Sequence, residues 1–385
     1  MKLIYLEWGY TYEKEIEKAL IEKEVEIYTY QIPEMSGFEV YSFQEKQQKD
    51  ALQRIIEQEK PDGIFSINFL AGISDFCQQN GIAYYAWVLQ LPNMDLLSTA
   101  IYNSCNRVAI CDSYLVERLR RQNIENIFFL PDAVAECRWV RGERVRGCSY
   151  VGTIPPIYKD TPFGTYSRGL SENTMGYLSG LLQCQRVLYG ATMLEDILMG
   201  SAATEMMERY PAVDHLIPQF HKLYLAETYL APEATRQEQI ILLQNLGISV
   251  NLGAFIDGEF PDCQGQKHAY PQTVQERQDI YGSSIINMVQ AHRSYHDAIP
   301  HQALEIMASG NFMFSNYQKD YGYFFCQGED IVCYGDSVER AQLFNQYGQD
   351  KQLRERVIEA GFEKVRAGHT YAHRVDFWRT IWEKI

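Results

Sequence analysis

The sequence has no C-x-x-C pair, and its nine cysteines are scattered and odd in number, which excludes a disulfide-built scaffold and fits a reducing compartment. It has no run of ~18 uncharged apolar residues, so no segment reads as a membrane-spanning helix. The start, MKLIYLEWGYTYEKE, carries no small-residue cleavage site after its short apolar run. It reads as a first strand, and a cytoplasmic location is expected. Positive charge is scarce: 35 Lys plus Arg stand against 50 Asp plus Glu, a net charge of −15. Such a balance opposes a phosphate backbone or an anionic leaflet, so neither nucleic acid nor a membrane is expected as a partner. A few clustered cations can still hold a small phosphorylated ligand. G-x-G-x-x-G, a Walker loop, G-x-S-x-G and H-E-x-x-H are all missing, as are internal repeats and low-complexity tracts. The first turn reads Trp8-Gly9-Tyr10, and nothing there argues for a dinucleotide.

What is present is an ordinary globular composition, 46% apolar and 22% charged over 385 residues, long enough for two domains at ~100–200 residues each. From residue 1 to about 135, β-rich runs at 2–8, 24–30, 62–69, 82–89, 107–112 and 126–131 alternate with helical stripes. The stripes are Ile16, Ala19 and Leu20, then Leu52, Ile55 and Ile56, then Leu115, Val116 and Leu119, each spaced i, i+3, i+4. Strand and helix in alternation predict a parallel sheet. A charged stretch at 136–147 reads as a linker. Strands are then expected at 148–154, 248–255, 284–289, 312–317 and 330–335, separated by a Gly/Pro/Asp-rich loop at 257–271 and a helix at 300–309. The predicted fold class is α/β, two Rossmann-like doubly wound lobes: 1–140, and 148–370 with a helical insertion at 155–232. A C-terminal helix, 371–385, is expected to pack back toward the first lobe through Trp378 and Trp382. Leu353, Val357 and Ala360 are expected to share the buried face of the helix before it. The Pro-rich start of the insertion offers Tyr158, Phe163 and Tyr166 as exposed aromatics.

Ligands of open α/β sheets bind at the carboxyl ends of strands, where helix N-termini attract anions. Two such points stand out. At Tyr150-Val151-Gly152-Thr153, Gly152 permits close backbone approach and Thr153 offers a hydroxyl; the alternative is a plain strand end with a flexible exit. At 298–311, Pro300 suits a first helical turn and Gly310 a C-terminal cap, boxing a helix of about three turns. His301, Gln302 and Glu305 share roughly one face of it and could grip ribose and phosphate together; the alternative is a surface helix with an exposed Glu. Arg293 could supply a phosphate-paired guanidinium. His292 and His296 have i, i+4 spacing, with His301 and Asp297 close in sequence, but these residues straddle a loop, and no metal site is expected. Asp257-Gly258-Glu259 could mimic an acidic metal pair but reads better as a turn.

Six stretches occur together in order: PDGIFSINFLAGISDFC (61–77), IYNSCNRVAICDSYLVERLRRQNIENIFFLPDAV (101–134), SYVGTI (149–154), GYLSGLLQCQRVLYG (176–190), AIPHQALEIMASGNFMFSNYQ (298–318), and GEDIVCYGD with AGFEKVRAGHTYAHRV (328–336, 360–375). In these the chain resembles the CgeB-like (spore maturation protein) glycosyltransferases, of GT-B architecture. The resemblance implies transfer of a sugar from a nucleotide-sugar donor to a glycan, protein or small-molecule acceptor, in a cleft with the donor on the C-terminal lobe. It implies no cofactor and no metal. It puts the donor-ribose carboxylate on Glu305, facing the cleft, and diphosphate clamps on Arg293 and Arg236. Two residues depart from the family's pattern. Gln302 stands where relatives commonly have Arg, and Gln90 where they have Asp, and Gln cannot act as a general base. His301 could replace part of the lost function, and Asp95 or Asp112 could serve as the base. A non-catalytic nucleotide-sugar-binding homologue, or a partner subunit of a transferase, is the alternative, and an epimerase on the same fold is a third reading.

Overall fold

The apolar runs at the start of the chain are buried on both faces, as in a sheet covered by helices on each side. Leu3, Ile4, Tyr5 and Leu6 are wholly inaccessible, and so are Ile64, Phe65 and Ile67. The computed structural model describes residues 1–32, 46–154, 161–210, 216–247, 251–258, 262 and 265–383. They form two compact units, one of Met1–Ala135, Val213–Phe220 and Thr370–Ile385, the other of Glu136–Ala212 and His221–His369.

The first unit holds β1 (Lys2–Glu7), β2 (Glu26–Gln31), β3 (Gly63–Ile67), β4 (Ala83–Val88), β5 (Asn106–Ile110) and β6 (Ile127–Phe129). They lie in the order β2-β1-β3-β4-β5-β6, all parallel. The connecting helices bury the expected stripes: Ile16, Ala19 and Leu20 in Glu13–Glu22, Leu52 in Lys46–Glu59, and Leu115, Val116 and Leu119 in Ser113–Arg120, which Asp112 caps. Ile55 and Ile56 are only half-buried. The helix Tyr371–Trp382 sets Trp378 edge-on to Phe65 and Tyr85, with ring centroids at 5.4 and 6.1 Å. Arg374 fixes that helix by donating to the carbonyls of Pro131 and Asp132 at 2.8 and 2.9 Å. Residues 216–220 of the helical insertion also belong here, because Leu216 bridges Ser98 and Ile217 donates to the carbonyl of Leu97.

The second unit holds β7 (Arg146–Ile154), β8 (Leu252–Gly258), β9 (Gln266–His268), β10 (Ser284–Val289), β11 (Met313–Asn316) and β12 (Val332–Tyr334). Their order is β12-β11-β10-β7-β8-β9, again all parallel, so the chain reverses its winding between β7 and β10. Residues 136–140 fall in this unit: Arg138 and Val140 donate to the carbonyls of Ala308 and Ser309. The insertion's described residues are helical, with helices at Pro162–Tyr166, Glu172–Gln185, Gly200–Arg209 and His221–Leu225, then a π-helical turn running into Ala231–Gly247.

Three expectations need correction. β9 lies inside the segment read as a loop, since Gln-Lys-His has no apolar pattern; it pairs with β8 through backbone bonds and a stack of His268 on Phe255. Ala360 faces out. The buried line of the helix Lys351–Gly368 is Val357, Ile358, Gly361, Phe362 and Val365, and a Cβ on Gly361 would stand 2.5 Å from the carbonyl of Asp330. Phe163 is buried, not exposed, whereas Tyr166 is exposed as expected, one side of it leaning on Tyr210 and Tyr229. Tyr158 and Glu259 lie outside the described residues.

Candidate functional site

In a doubly wound sheet the point where winding reverses leaves a crevice at the carboxyl ends of the two strands, because their connections leave on opposite faces. In the second unit that point lies at the ends of β7 and β10. Gly152 and Thr153 are still within the ladder, paired with Ile256 and Asp257 of β8, so this is an ordered strand end. Gly152 is needed there: a Cβ would stand 2.8 Å from the hydroxyl of Tyr150. Thr153 is exposed. The residues beyond Ile154 up to 160 are outside the description.

After β10 comes the loop 290–300 and then the helix His301–Ala308, just over two turns where about three were expected. Gly310 follows at φ 67°, with the ring of Trp139 where a side chain would be. His301 opens the helix. Gln302 donates from Nε2 to the carbonyl of Val151 at 3.0 Å, which ties the helix start to the end of β7. Glu305 is not the exposed side chain of a surface helix; it is 5% exposed. Its carboxylate accepts from Arg277 Nε at 3.1 and 3.0 Å, from Arg277 Nη2 at 2.9 Å, and from the hydroxyl of Tyr281 at 3.0 Å. Arg277 and Tyr281 were missed in the sequence. They stand i, i+4 on the helix Val274–Gly282, a spacing that puts both on one face, and that was the available signal.

Arg293 is also buried and paired. Its Nε lies 2.8 and 3.0 Å from the Glu238 carboxylate and its Nη2 2.7 Å, while its carbon CZ sits 5.3 Å from the ring centre of Tyr189. Burial pushes the Glu238 carboxyl up to about 7, against the pull of Arg293, Arg186 and Gln290. Arg236 donates to Glu233 at 3.1 and 3.3 Å. Both carboxylates and Arg236 come from Ala231–Gly247, and Thr235 of the same helix accepts from the Arg293 amide at 2.9 Å. That helix therefore organises the loop after β10. His296 contacts Glu227 of the π-helical turn at 2.8 Å, and His292 accepts the Ser294 amide, so these two histidines point to separate partners. Burial pushes His292 down to about 4. No group of three or more His, Cys, Asp or Glu capable of holding a metal occurs among the described residues.

In the first unit, Gln90 is exposed just past β4 and accepts from Asn68 Nδ2 at 3.0 Å. Asn68, at φ 63°, in turn accepts the amides of Leu89 and Gln90. Asp95 accepts the Ala71 amide at 2.8 Å, so Gln90 and Asp95 both bind residues of the loop after β3. Burial pushes the Asp95 carboxyl up to about 6. Asp112 is fully buried and spends its carboxylate capping Ser113–Arg120. At Trp8-Gly9, the amides that a phosphate would meet in a dinucleotide-binding turn instead donate to Glu13 at 3.0 and 2.9 Å.

Residues 253–380, a third of the chain, match the model of the family described as glycosyl transferase-like. No curated protein matches the chain significantly. Among solved structures, sucrose-phosphate synthase from Thermosynechococcus elongatus is similar over 100% of both chains, with a TM-score of 0.54 and 12% identity. Anabaena Alr3699/HepE in complex with UDP-glucose is similar over 100% of both chains, with a TM-score of 0.52 and 8% identity. No described helix is long and apolar enough to cross a membrane. The chain thus has the α/β fold of the GT-B glycosyltransferases, and its residues 253–380 are similar to the glycosyl transferase-like family.

Proposed function

We propose that the chain is a CgeB-like glycosyltransferase of the cytoplasm, taking a nucleotide-sugar donor on its second unit and a glycan, protein or small-molecule acceptor on its first. The observation that carries this reading is the family match over 253–380, the stretch that contains Arg277, Arg293, His301, Gln302 and Glu305. The donor's phosphates meet the β7/β10 crevice, where Arg293 and Arg236 offset the charge that develops on the leaving nucleotide without a metal ion. Glu305 accepts from a ribose hydroxyl, its orientation fixed by Arg277 and Tyr281. His301 stands at the helix start, beside Gln302, as a further hydrogen-bonding group for phosphate. On the first unit Asp95 is the favoured base, because burial pushes its carboxyl up to about 6, while Asp112 spends its carboxylate capping a helix.

Incubating the protein with a panel of nucleotide sugars, with and without candidate acceptors, and measuring free nucleotide tests this. Acceptor-dependent release is expected. Nucleotide-sugar binding with no release under any condition would favour the alternative, a binding homologue or partner subunit, for which Gln90 and Gln302 are the motivating residues.

A further inference from the structure

Glu238 lies in the field of a second cation besides Arg293. Arg186 follows the helix Glu172–Gln185 of the insertion, and its charge acts with that of Arg293 to hold the Glu238 carboxyl down against burial. Its Nε is buried with no hydrogen-bond partner among the described residues, and its Nη1 reaches only Gln237 Oε1, at 3.5 Å. Arg293 additionally donates from Nη2 to the carbonyl of Gln185 at 3.3 Å, so the two arginines are brought to one place by the end of the same insertion helix. Gln290, the first residue after β10, donates to Glu238 Oε2 at 3.1 Å. The cluster therefore sits at the carboxyl end of β10, beside the step where the winding reverses. A guanidinium fork closed on a buried anion, with a second guanidinium near it, is the kind of arrangement that arginines make around phosphate, with planar donor forks set against anionic oxygens.

We propose that Glu238 occupies the place of a phosphate in the ligand-free protein, and that the diphosphate of a nucleotide displaces it from Arg293 and takes Arg186 as a second cation. This rests on the reading of the second unit as the donor-binding unit, and it adds Arg186, a residue of the insertion, to the phosphate contacts. A carboxylate displaced from Arg293, with Arg186 engaged by phosphate, is left buried without a counter-charge, a state that desolvation makes costly. The groups that face Glu238 are Arg293 from the loop after β10, Arg186 and the Tyr189 phenol from the insertion, Gln290, and the Tyr334 phenol from β12. With both cations engaged by phosphate, Glu238 takes a proton from solvent and remains as a neutral carboxyl beside Gln290. Nucleotide binding near neutral pH is then coupled to uptake of a proton.

UDP, ADP, GDP and dTDP are titrated calorimetrically into the whole protein at pH 7.5 in two buffers of different ionisation heat, and the nucleotide that binds is carried into variants. Net proton uptake is expected in the unaltered protein. Glu238→Gln is expected to abolish the uptake and tighten binding, and Arg186→Met to weaken it, each by about tenfold, the scale of one charge-assisted hydrogen bond. If Glu238→Gln fails to fold, the proton count on the unaltered protein and the Arg186→Met affinity decide. Binding without proton uptake, with unchanged affinity in Arg186→Met, overturns the exchange and leaves the donor reading standing. Binding of none of the four nucleotides, nor of any nucleotide sugar, removes the donor reading itself.

Discussion

Arg277 holds Glu305 through both its Nε and Nη2, at 2.9 to 3.1 Å, with each side chain less than a tenth exposed. The pair changes what a substitution at Glu305 measures. Glu305→Ala strands a buried guanidinium, and a loss of about 3–5 kcal/mol in folding stability is expected from breaking a buried pair by one partner. Glu305→Gln keeps an acceptor for Arg277 and is the cleaner probe. Nucleotide binding in Glu305→Gln should weaken by up to about 1.5–3 kcal/mol, the range for hydrogen bonds to charged groups. Unchanged affinity by calorimetry, with a folded variant, would show that Glu305 serves only the second unit's core.

Donor binding is expected to need no divalent metal, because arginines lie at the candidate phosphate site and the carboxylates beside them, Glu233 and Glu238, are paired with those arginines. Nucleotide titrations with and without a chelator should give the same affinity. Loss of binding on chelation, restored by Mg or Mn, would return attention to Asp257 and Glu259.

Gln90 carries no group that can take a proton from an acceptor hydroxyl, and the structure uses it to receive Asn68. With Asp95 as base, Gln90→Asp should change turnover by less than about tenfold, far short of the ~10²–10⁴ that a positioned general base supplies. A gain of a hundredfold or more, absent from Gln302→Arg, would mean that the natural protein lacks its base and is not an active transferase as it stands.

The Asp95 carboxyl, pushed up to about 6 by burial, makes a prediction about stability. A carboxyl whose folded pKa lies above its unfolded value binds more protons in the folded state, so its favourable contribution is present at acid pH and lost as pH rises through that window. Asp95→Asn removes the ionisation and keeps an acceptor for the Ala71 amide. The variant should nearly match the parent near pH 4 and exceed it by about 3 kcal/mol at pH 8, from the size of the shift. Denaturant unfolding at both pH values checks it. Equal stabilities at pH 8 would place the carboxyl in an ordinary, solvated state.

Much of the architecture was written in local pattern. Runs such as Leu3–Leu6 and Ile64–Ile67 are buried on both faces because parallel strands are covered by helices on each side, and that demand leaves a continuous apolar signature. The stripe Ile16, Ala19, Leu20 and the Pro300 to Gly310 box were legible for the same reason: each reports a period or a cap set by nearest neighbours in the chain. β9 was not legible, because a short edge strand of Gln266, Lys267 and His268 is held by backbone bonds to β8 that side-chain pattern does not encode. The site was less legible still. Sequence marked Arg293, Arg236 and Glu305 as polar residues near strand ends, but whether a charge is free or spent depends on what tertiary packing sets beside it. Arg277 reaches Glu305 across 28 positions and Glu238 reaches Arg293 across 55, separations that no helical or strand period spans. Desolvation in the folded interior then decided which carboxyls, Asp95 and Glu238 among them, titrate near neutrality, because the cost of burying a charge exists only once the chain has closed around it.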